Sequence, residues 1–310
     1  MPMAVLWSLL LIASLAVLVK GADVFVEQAA RVARALGVPE FLIGVTLVAL
    51  GTSLPELAAS LSSVTHGPGH FVAGTVVGSN VANILFILGA AALAFKGFKV
   101  SRPLLEMDVP VMLTSAVLLS IMAYDGQISR IEGLFLLVFY VVYLLYAAHA
   151  QKSSTEEKQG GFKPIILLWL ALAGAAIYAG AEFTVLSVIK LTELIGLSDT
   201  SVLALTVVAV GSSLPELVVT LTAAKKQYHD LSVGNVVGSN ICNTFLVTGV
   251  PALVKPLPVS QAVIATGLPF MLAASLMLLA FAAKGQVGRH AGVFFILVFI
   301  LFLFRLTGLA

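Results

Sequence analysis

Two glutamates, Glu56 and Glu216, stand inside otherwise apolar runs. Each closes the same short pattern, Gly-Thr-Ser-Leu-Pro-Glu at 51–56 and Gly-Ser-Ser-Leu-Pro-Glu at 211–216. An ionised side chain at the centre of a bilayer costs roughly 2.5–3.5 kcal/mol on insertion scales, so an acid there calls for a chemical role. Thr52 and Ser53 lie four and three residues before Glu56, and Ser212 and Ser213 hold the same places before Glu216. On a helix this spacing gathers the three oxygens near one face. Pro55 and Pro215 carry no N–H and clash with the preceding turn, which predicts a break or kink in each helix. Backbone carbonyls around Ala49 to Thr52 and Ala209 to Ser212 would then be free to face a ligand. Irregular backbone at membrane depth is tolerated only where it is buried in protein or lines a cavity.

A second pattern follows each first one. Gly-Thr-Val-Val-Gly-Ser-Asn at 74–80 pairs with Gly-Asn-Val-Val-Gly-Ser-Asn at 234–240. It sets Ser79 four residues before Asn83, and Ser239 four before Asn243. The small residues Gly74, Gly78, Gly234 and Gly238 predict tight helix packing around these positions. The collected ligands are all oxygen: two carboxylates, several hydroxyls, two amides and freed carbonyls. Such a set suits hard cations, and calcium takes 6–8 oxygens in a flexible cage. Two ionised glutamates balance one Ca²⁺, and the same pair can hold monovalent cations or protons. Competition for one set of carboxylates is a physical basis for exchange.

Other chemistries fit less well. The five histidines fall in or beside connections, and the single cysteine, Cys242, reads as a small packing residue. With no histidine or lysine inside a span to act as base, Ser53 and Ser213 make no hydrolase, so an enzyme is not expected. A passive channel could use the same oxygens, but the pairing of interrupted helices favours a transporter. No resident cofactor is expected; the ligands would be transported ions, Ca²⁺ or another divalent cation, with monovalent cations or H⁺ competing for the same oxygens.

The elements that must position these residues are membrane helices. The chain of 310 residues is 60% hydrophobic and only 10% charged, with a mean hydropathy of +1.08. Soluble domains carry about a quarter charged residues. A net charge of +2 with no basic cluster argues against nucleic acid; the expected surroundings are lipid, with no obligatory protein partner evident. At about 20 apolar residues per crossing, ten spans are predicted. They lie near 3–22, 41–65, 71–95, 104–124, 131–149, 164–181, 200–224, 231–254, 259–283 and 287–309. No basic residue precedes the first apolar run, whose first lysine is Lys20, so it reads as a helix and not a cleaved leader. The acids outside the two motifs, among them Asp23, Glu27, Glu106, Asp108, Glu182 and Glu193, lie near span ends where water is close.

Between spans five and six lies the hydrophilic stretch 151–163, which divides the chain into five-helix units at 1–150 and 164–310. Twelve Lys and Arg on one face against four on the other put this loop in the cytoplasm and both termini outside, in the plasma membrane. The motifs recur at a constant separation of 160 residues, and Gly-Ala-Asp at 21–23 matches Gly-Ala-Glu at 180–182 at a separation of 159. Five spans separate one copy from the other, and an odd number flips direction across the membrane. The expected fold is therefore an all-α polytopic membrane protein with two inverted-topology repeats and a transport site at the midplane.

These residues resemble the sodium/calcium exchanger family of the calcium/cation antiporters, prokaryotic type. The resemblance rests on the two Gly-(Thr/Ser)-Ser-Leu-Pro-Glu motifs and the paired Gly-Ser-Asn, and it covers essentially the whole chain. It implies antiport of Ca²⁺ against Na⁺ by alternating access, with Glu56 and Glu216 as ligands. Hydroxyls would come from Thr52, Ser53, Ser212, Ser213, Ser79 and Ser239, and backbone carbonyls from Ala49 and Ala209. It also implies that spans one and six, each continued by an amphipathic tail, slide against the rest. Two positions depart from the pattern. Asn243 stands where such exchangers often carry aspartate, which lowers the charge of the site and keeps proton/calcium exchange as an alternative. Thr75 stands where the second repeat has Asn235, and a packing difference, not a lost ligand, is expected there. The central loop is too short for regulatory calcium-binding domains.

Overall fold

The computed structural model describes residues 2–66, 69–101, 103–153, 164–194 and 213–306. The fold is helical, and among the described residues nine helical stretches are long and apolar enough to cross a membrane. Of the expected seventh span only the C-terminal part, α9 (Leu214–Lys225), is described.

The first helix is longer than its apolar run. Helix α1 covers Pro2–Leu36, because the charged tail after Gly21 keeps helical spacing with its polar residues on one side. At 1.5 Å per residue its 35 residues reach about 52 Å, well beyond a hydrocarbon core of about 30 Å. Helix α8 (Ile165–Leu194) is extended in the same way. The two lie against each other through small residues. A Cβ on Gly21 would come within 3.1 Å of Ile177, and one on Gly180 within 2.8 Å of the Leu18 backbone.

The second span consists of α2 (Glu40–Ile43), a π-helical turn at Gly44–Val48, and α3 (Ala49–His66). This corrects the expectation of a break at Pro55. Helix α3 continues through Pro55 without a break, and the π-turn lies upstream of it. An extra residue in that turn re-aims the following helix without ending it. Span three is α4 (His70–Ala82), a π-turn at Asn83–Leu88 and α5 (Gly89–Ala94). Its partner is α10 (His229–Cys242), a π-turn at Asn243–Val247 and α11 (Thr248–Val254). Both second-motif asparagines thus open a π-turn. Two more π-turns, Leu104–Asp108 and Val263–Gly267, begin α6 (Val109–Met122) and α12 (Leu268–Ala282). Helices α7 (Arg130–Ser153) and α13 (Arg289–Leu306) complete the set.

The two halves exchange equivalent contacts, as a two-fold relation requires. Asn80 Nδ2 approaches the Asn240 carbonyl at 3.4 Å and the Met271 sulfur at 3.6 Å. Asn240 Nδ2 returns the pattern, to the Asn80 carbonyl at 3.2 Å and the Met112 sulfur at 3.6 Å. Short antiparallel pairs obey the same relation: β1 (Phe98–Lys99) pairs with β4 (Gln286–Val287), and β2 (Gln127–Ile128) with β3 (Leu257–Pro258). Gly133 meets Gly249 and Ala252, while Gly292 meets Gly89 and Ala92. Spans three and eight are the most enclosed, so the second motifs lie at the centre of the molecule.

Candidate functional site

Close packing around glycine brings the first and second motifs together. A Cβ on Gly234 would lie 2.8 Å from the Phe41 carbonyl, and one on Gly238 only 2.5 Å from Val45 Cα. Helix α10 therefore lies against the π-turn Gly44–Val48 with backbone touching backbone. Across this contact Thr52 meets Ser239, their hydroxyls 3.3 Å apart. Thr52 Oγ1 also lies 3.2 Å from the Ala49 carbonyl and 3.3 Å from Asn235 Oδ1, so its one proton has alternative acceptors. The Ala49 carbonyl, an expected ligand, lies within reach of a hydroxyl of its own helix.

The carboxyls of Glu56 and Glu216 are 4% and 1% exposed and close enough to act on each other electrostatically. Thr52 lies beside Glu216, and Cys242 lies beside Ser53 and feels both acids. The π-turn that begins at Asn83 packs on α9, which carries Glu216; the one that begins at Asn243 packs on α3, which carries Glu56. Each second motif thus supports the glutamate helix of the other half. Two of the expected ligands, Ala209 and Ser212, lie outside the described residues.

A shared shortage marks the remaining residues. Both oxygens of Glu56 and of Glu216, the hydroxyls of Ser53, Ser79 and Ser213, Asn83 Oδ1 and both amide atoms of Asn243 are buried without a partner in the protein. Buried polar groups are nearly always hydrogen-bonded, and a cluster of exceptions needs a cause. These atoms are the ones that the motif spacing nominated as cation ligands. Among the described residues no three His, Cys, Asp or Glu gather around one point, so neutral oxygens must supply most of any coordination shell. That composition suits hard cations such as calcium and sodium. A small cavity bordered by Thr52, Gly51, Pro55 and Pro215 is closed on its other side by Phe25 of α1 and by Gly174, Ile177 and Tyr178 of α8. The long helix pair therefore forms one wall beside the site.

The sequence profile of the sodium/calcium exchanger proteins matches residues 6–148 and 165–308. The chain belongs to the sodium/calcium exchanger family. Sodium/calcium exchanger MaX1 of Methanosarcina acetivorans is 38% identical, over 95% of this chain and 97% of its own. Inner membrane protein YrbG of Escherichia coli is 35% identical over 97% of each chain. A solved structure of the sodium-calcium exchanger NCX_Mj superposes with a TM-score of 0.84 at 31% identity, covering 96% of this chain and 98% of that one. The exchanger is thus a membrane-embedded ion antiporter, and the prokaryotic resemblance read from its motifs holds.

Several features of the exchanger's site escaped the motif spacing. Asn235 does more than fill space: its Oδ1 accepts from Thr52 while its Nδ2 donates to Thr220 Oγ1 at 3.0 Å. The first repeat has Thr75 at that place. Asn240 accepts from Asn83 Nδ2 at 3.0 Å, which turns Asn83 Oδ1 to the unpartnered set. The repeated Gly-Ser-Asn was the signal for Asn80 and Asn240, although neither was assigned a role. Asp108 is a plain correction. It does not face water at a span end; it is 1% exposed and accepts a hydrogen bond from the Tyr143 hydroxyl at 2.8 Å. Glu56 and Glu216 are therefore not the only enclosed acids.

Proposed function

We propose that this exchanger moves Ca²⁺ against Na⁺, and that both ions occupy one oxygen cage built on Glu56 and Glu216. The observation that carries the reading is the matched pair of enclosed carboxylates whose four oxygens lack any protein partner. Two such groups near each other repel, and a divalent cation between them removes that repulsion while replacing the hydration both have lost. Ser53, Ser79, Ser213, Asn83 and Asn243 complete the shell with neutral oxygens, joined by Thr52, Ser239 and the carbonyl of Ala49. By sequence, Ala209 and Ser212 are the counterparts of Ala49 and Thr52 in the second repeat. Sodium competes for the same carboxylates, so each ion leaves when the other arrives.

The helix pair α1 and α8 would supply alternating access. These helices contact each other more extensively than they contact the cage, and they wall the cavity beside Thr52. Sliding of the pair would expose the cage first on one side and then on the other. The five-helix units 1–150 and 164–310, joined by a cytoplasmic loop with both termini outside the plasma membrane, remain the arrangement we favour. Proteoliposomes loaded with sodium should accumulate radiolabelled calcium only while an outward sodium gradient lasts. Equal uptake driven by a proton gradient in sodium-free buffer would replace sodium by protons as the coupling ion. The neutral Asn243 is the residue that favours this second reading. Uptake without either gradient, and without counterflow, would show a channel and overturn antiport.

A further inference from the structure

Asp108 lies outside the cage, yet it shares the mark of the cage residues. Its Oδ1 accepts from Tyr143, whereas its Oδ2 is buried with no partner. The group facing it is Tyr143 of α7, which in turn neighbours Tyr140 of α7 and Cys242 of α10, the last two in contact with each other; Glu106, two residues earlier, is exposed. The two-fold relation gives these residues counterparts in the other half, and every counterpart is apolar. Gly267 answers Asp108, Phe302 answers Tyr143, Phe299 answers Tyr140, and Ala82 answers Cys242. No side chain fits at Gly267, where a Cβ would come within 2.8 Å of Val77. In that half the space is closed by rings, Phe299 stacking on Phe86 at 5.3 Å. One half packs this place with hydrocarbon and the other builds a carboxylate, two phenols and a thiol.

We propose that this one-sided cluster is a second ion-binding site, whose ligand is a proton taken at Oδ2 of Asp108. Too few oxygens converge there for a metal cation, which wants six or more, whereas a proton needs one lone pair. In the step, an O–H bond of a hydronium ion breaks and one forms at Oδ2, water leaves, the carboxylate charge disappears, and Oδ1 keeps its bond from Tyr143; release is the reverse. Carboxyl groups buried in membrane proteins serve as proton relays for the same reason. Two routes connect the cluster to the cage. Cys242 touches Ser53, and Met112, one turn beyond Asp108, accepts from Asn240, which holds Asn83. A charged Asp108 favours cations in the cage and a neutral one does not, so part of the exchanger's proton dependence originates outside the cage.

Infrared difference spectra of the purified protein in lipid nanodiscs, recorded across a pH step, test this directly. The carbonyl stretch of a protonated carboxylic acid should be lost in Asp108→Asn. It should shift in Tyr143→Phe, which keeps the acid and removes its donor. Superimposable wild-type and Asp108→Asn spectra would overturn the proposal, and if that variant does not fold, an unshifted band in Tyr143→Phe overturns it. Adding calcium to the wild type should perturb the same band; an unperturbed band overturns the link to the cage. The spectra require no transport, so failure of sodium-driven calcium uptake would refute the proposed function alone.

Discussion

Replacing Gly238 by alanine places a methyl group 2.5 Å from both the Cα and the carbonyl oxygen of Val45, and 2.7 Å from the Ala49 Cβ. Carbon atoms pack at about 3.5–4.0 Å, so α10 has to retreat from the π-turn by about 1 Å. Overpacking costs about 1–3 kcal/mol, and the upper end applies because two of the three contacts are backbone atoms that cannot rotate away. The retreat also stretches the 3.3 Å approaches of Thr52 to Ser239 and Asn235. A preorganised site tolerates displacements of about 0.5 Å, so the expected loss in apparent calcium affinity is about tenfold or more. Calcium uptake into proteoliposomes and thermal unfolding in detergent measure the two effects together. Gly174→Ala is the control, since its new Cβ meets Phe25 at an ordinary 3.6 Å. Adding Ala49→Gly to Gly238→Ala removes only the 2.7 Å contact, so rescue should be partial. Wild-type affinity together with a wild-type unfolding midpoint in Gly238→Ala would refute the close-packing argument.

Glu216→Gln and Glu56→Gln each remove one charge from an enclosed pair, and calcium binding should weaken by about 3–5 kcal/mol, more than a hundredfold, in a filter or calorimetric binding assay. Full exchange by either variant would show that the cage is elsewhere. Calcium at about 100 times its dissociation constant should stabilise the folded exchanger by about 2.7 kcal/mol, seen as a raised unfolding midpoint that Glu216→Gln abolishes. Asn240→Ala should weaken calcium binding because it frees Asn83, whereas Asn80→Ala, which holds no cage residue, should lower the unfolding midpoint with little effect on affinity. Asn235→Ala strips Thr52 of an acceptor and leaves the Thr220 hydroxyl short of a partner, for a cost of about 1–3 kcal/mol and a drop in calcium affinity that titration would register.

The helices and the repeat were legible because both leave periodic traces: apolar runs of membrane length, and a motif spacing that recurs. Glu56, Ser79, Asn83 and their counterparts were legible for a related reason, since a polar side chain in such a run costs too much to be kept for packing alone. What escaped was the way the backbone accommodates them. Proline is a visible breaker, but a π-turn at Gly44–Val48 has no compositional signature and lies upstream of Pro55. Asn235 was read as packing because the partner that ties it to the site, Thr52, lies 183 positions away in the other half. Asp108 was misread because nearness to a span end was taken as exposure. Its burial depends on Tyr143, 35 positions away on a neighbouring helix.

The crossed packing of Gly133 on Gly249 and Gly292 on Gly89 has a consequence for how such a molecule is made. The fifth helix of each half finishes the third helix of the other, and β1 waits for β4. During synthesis the first half therefore sits in the membrane with an open flank until the last hairpin of the second half emerges. Coexpressed halves, split within 151–163, should assemble, while either alone should be degraded. A half on its own would keep that flank open, and the reciprocal packing means that a second such half is what closes it.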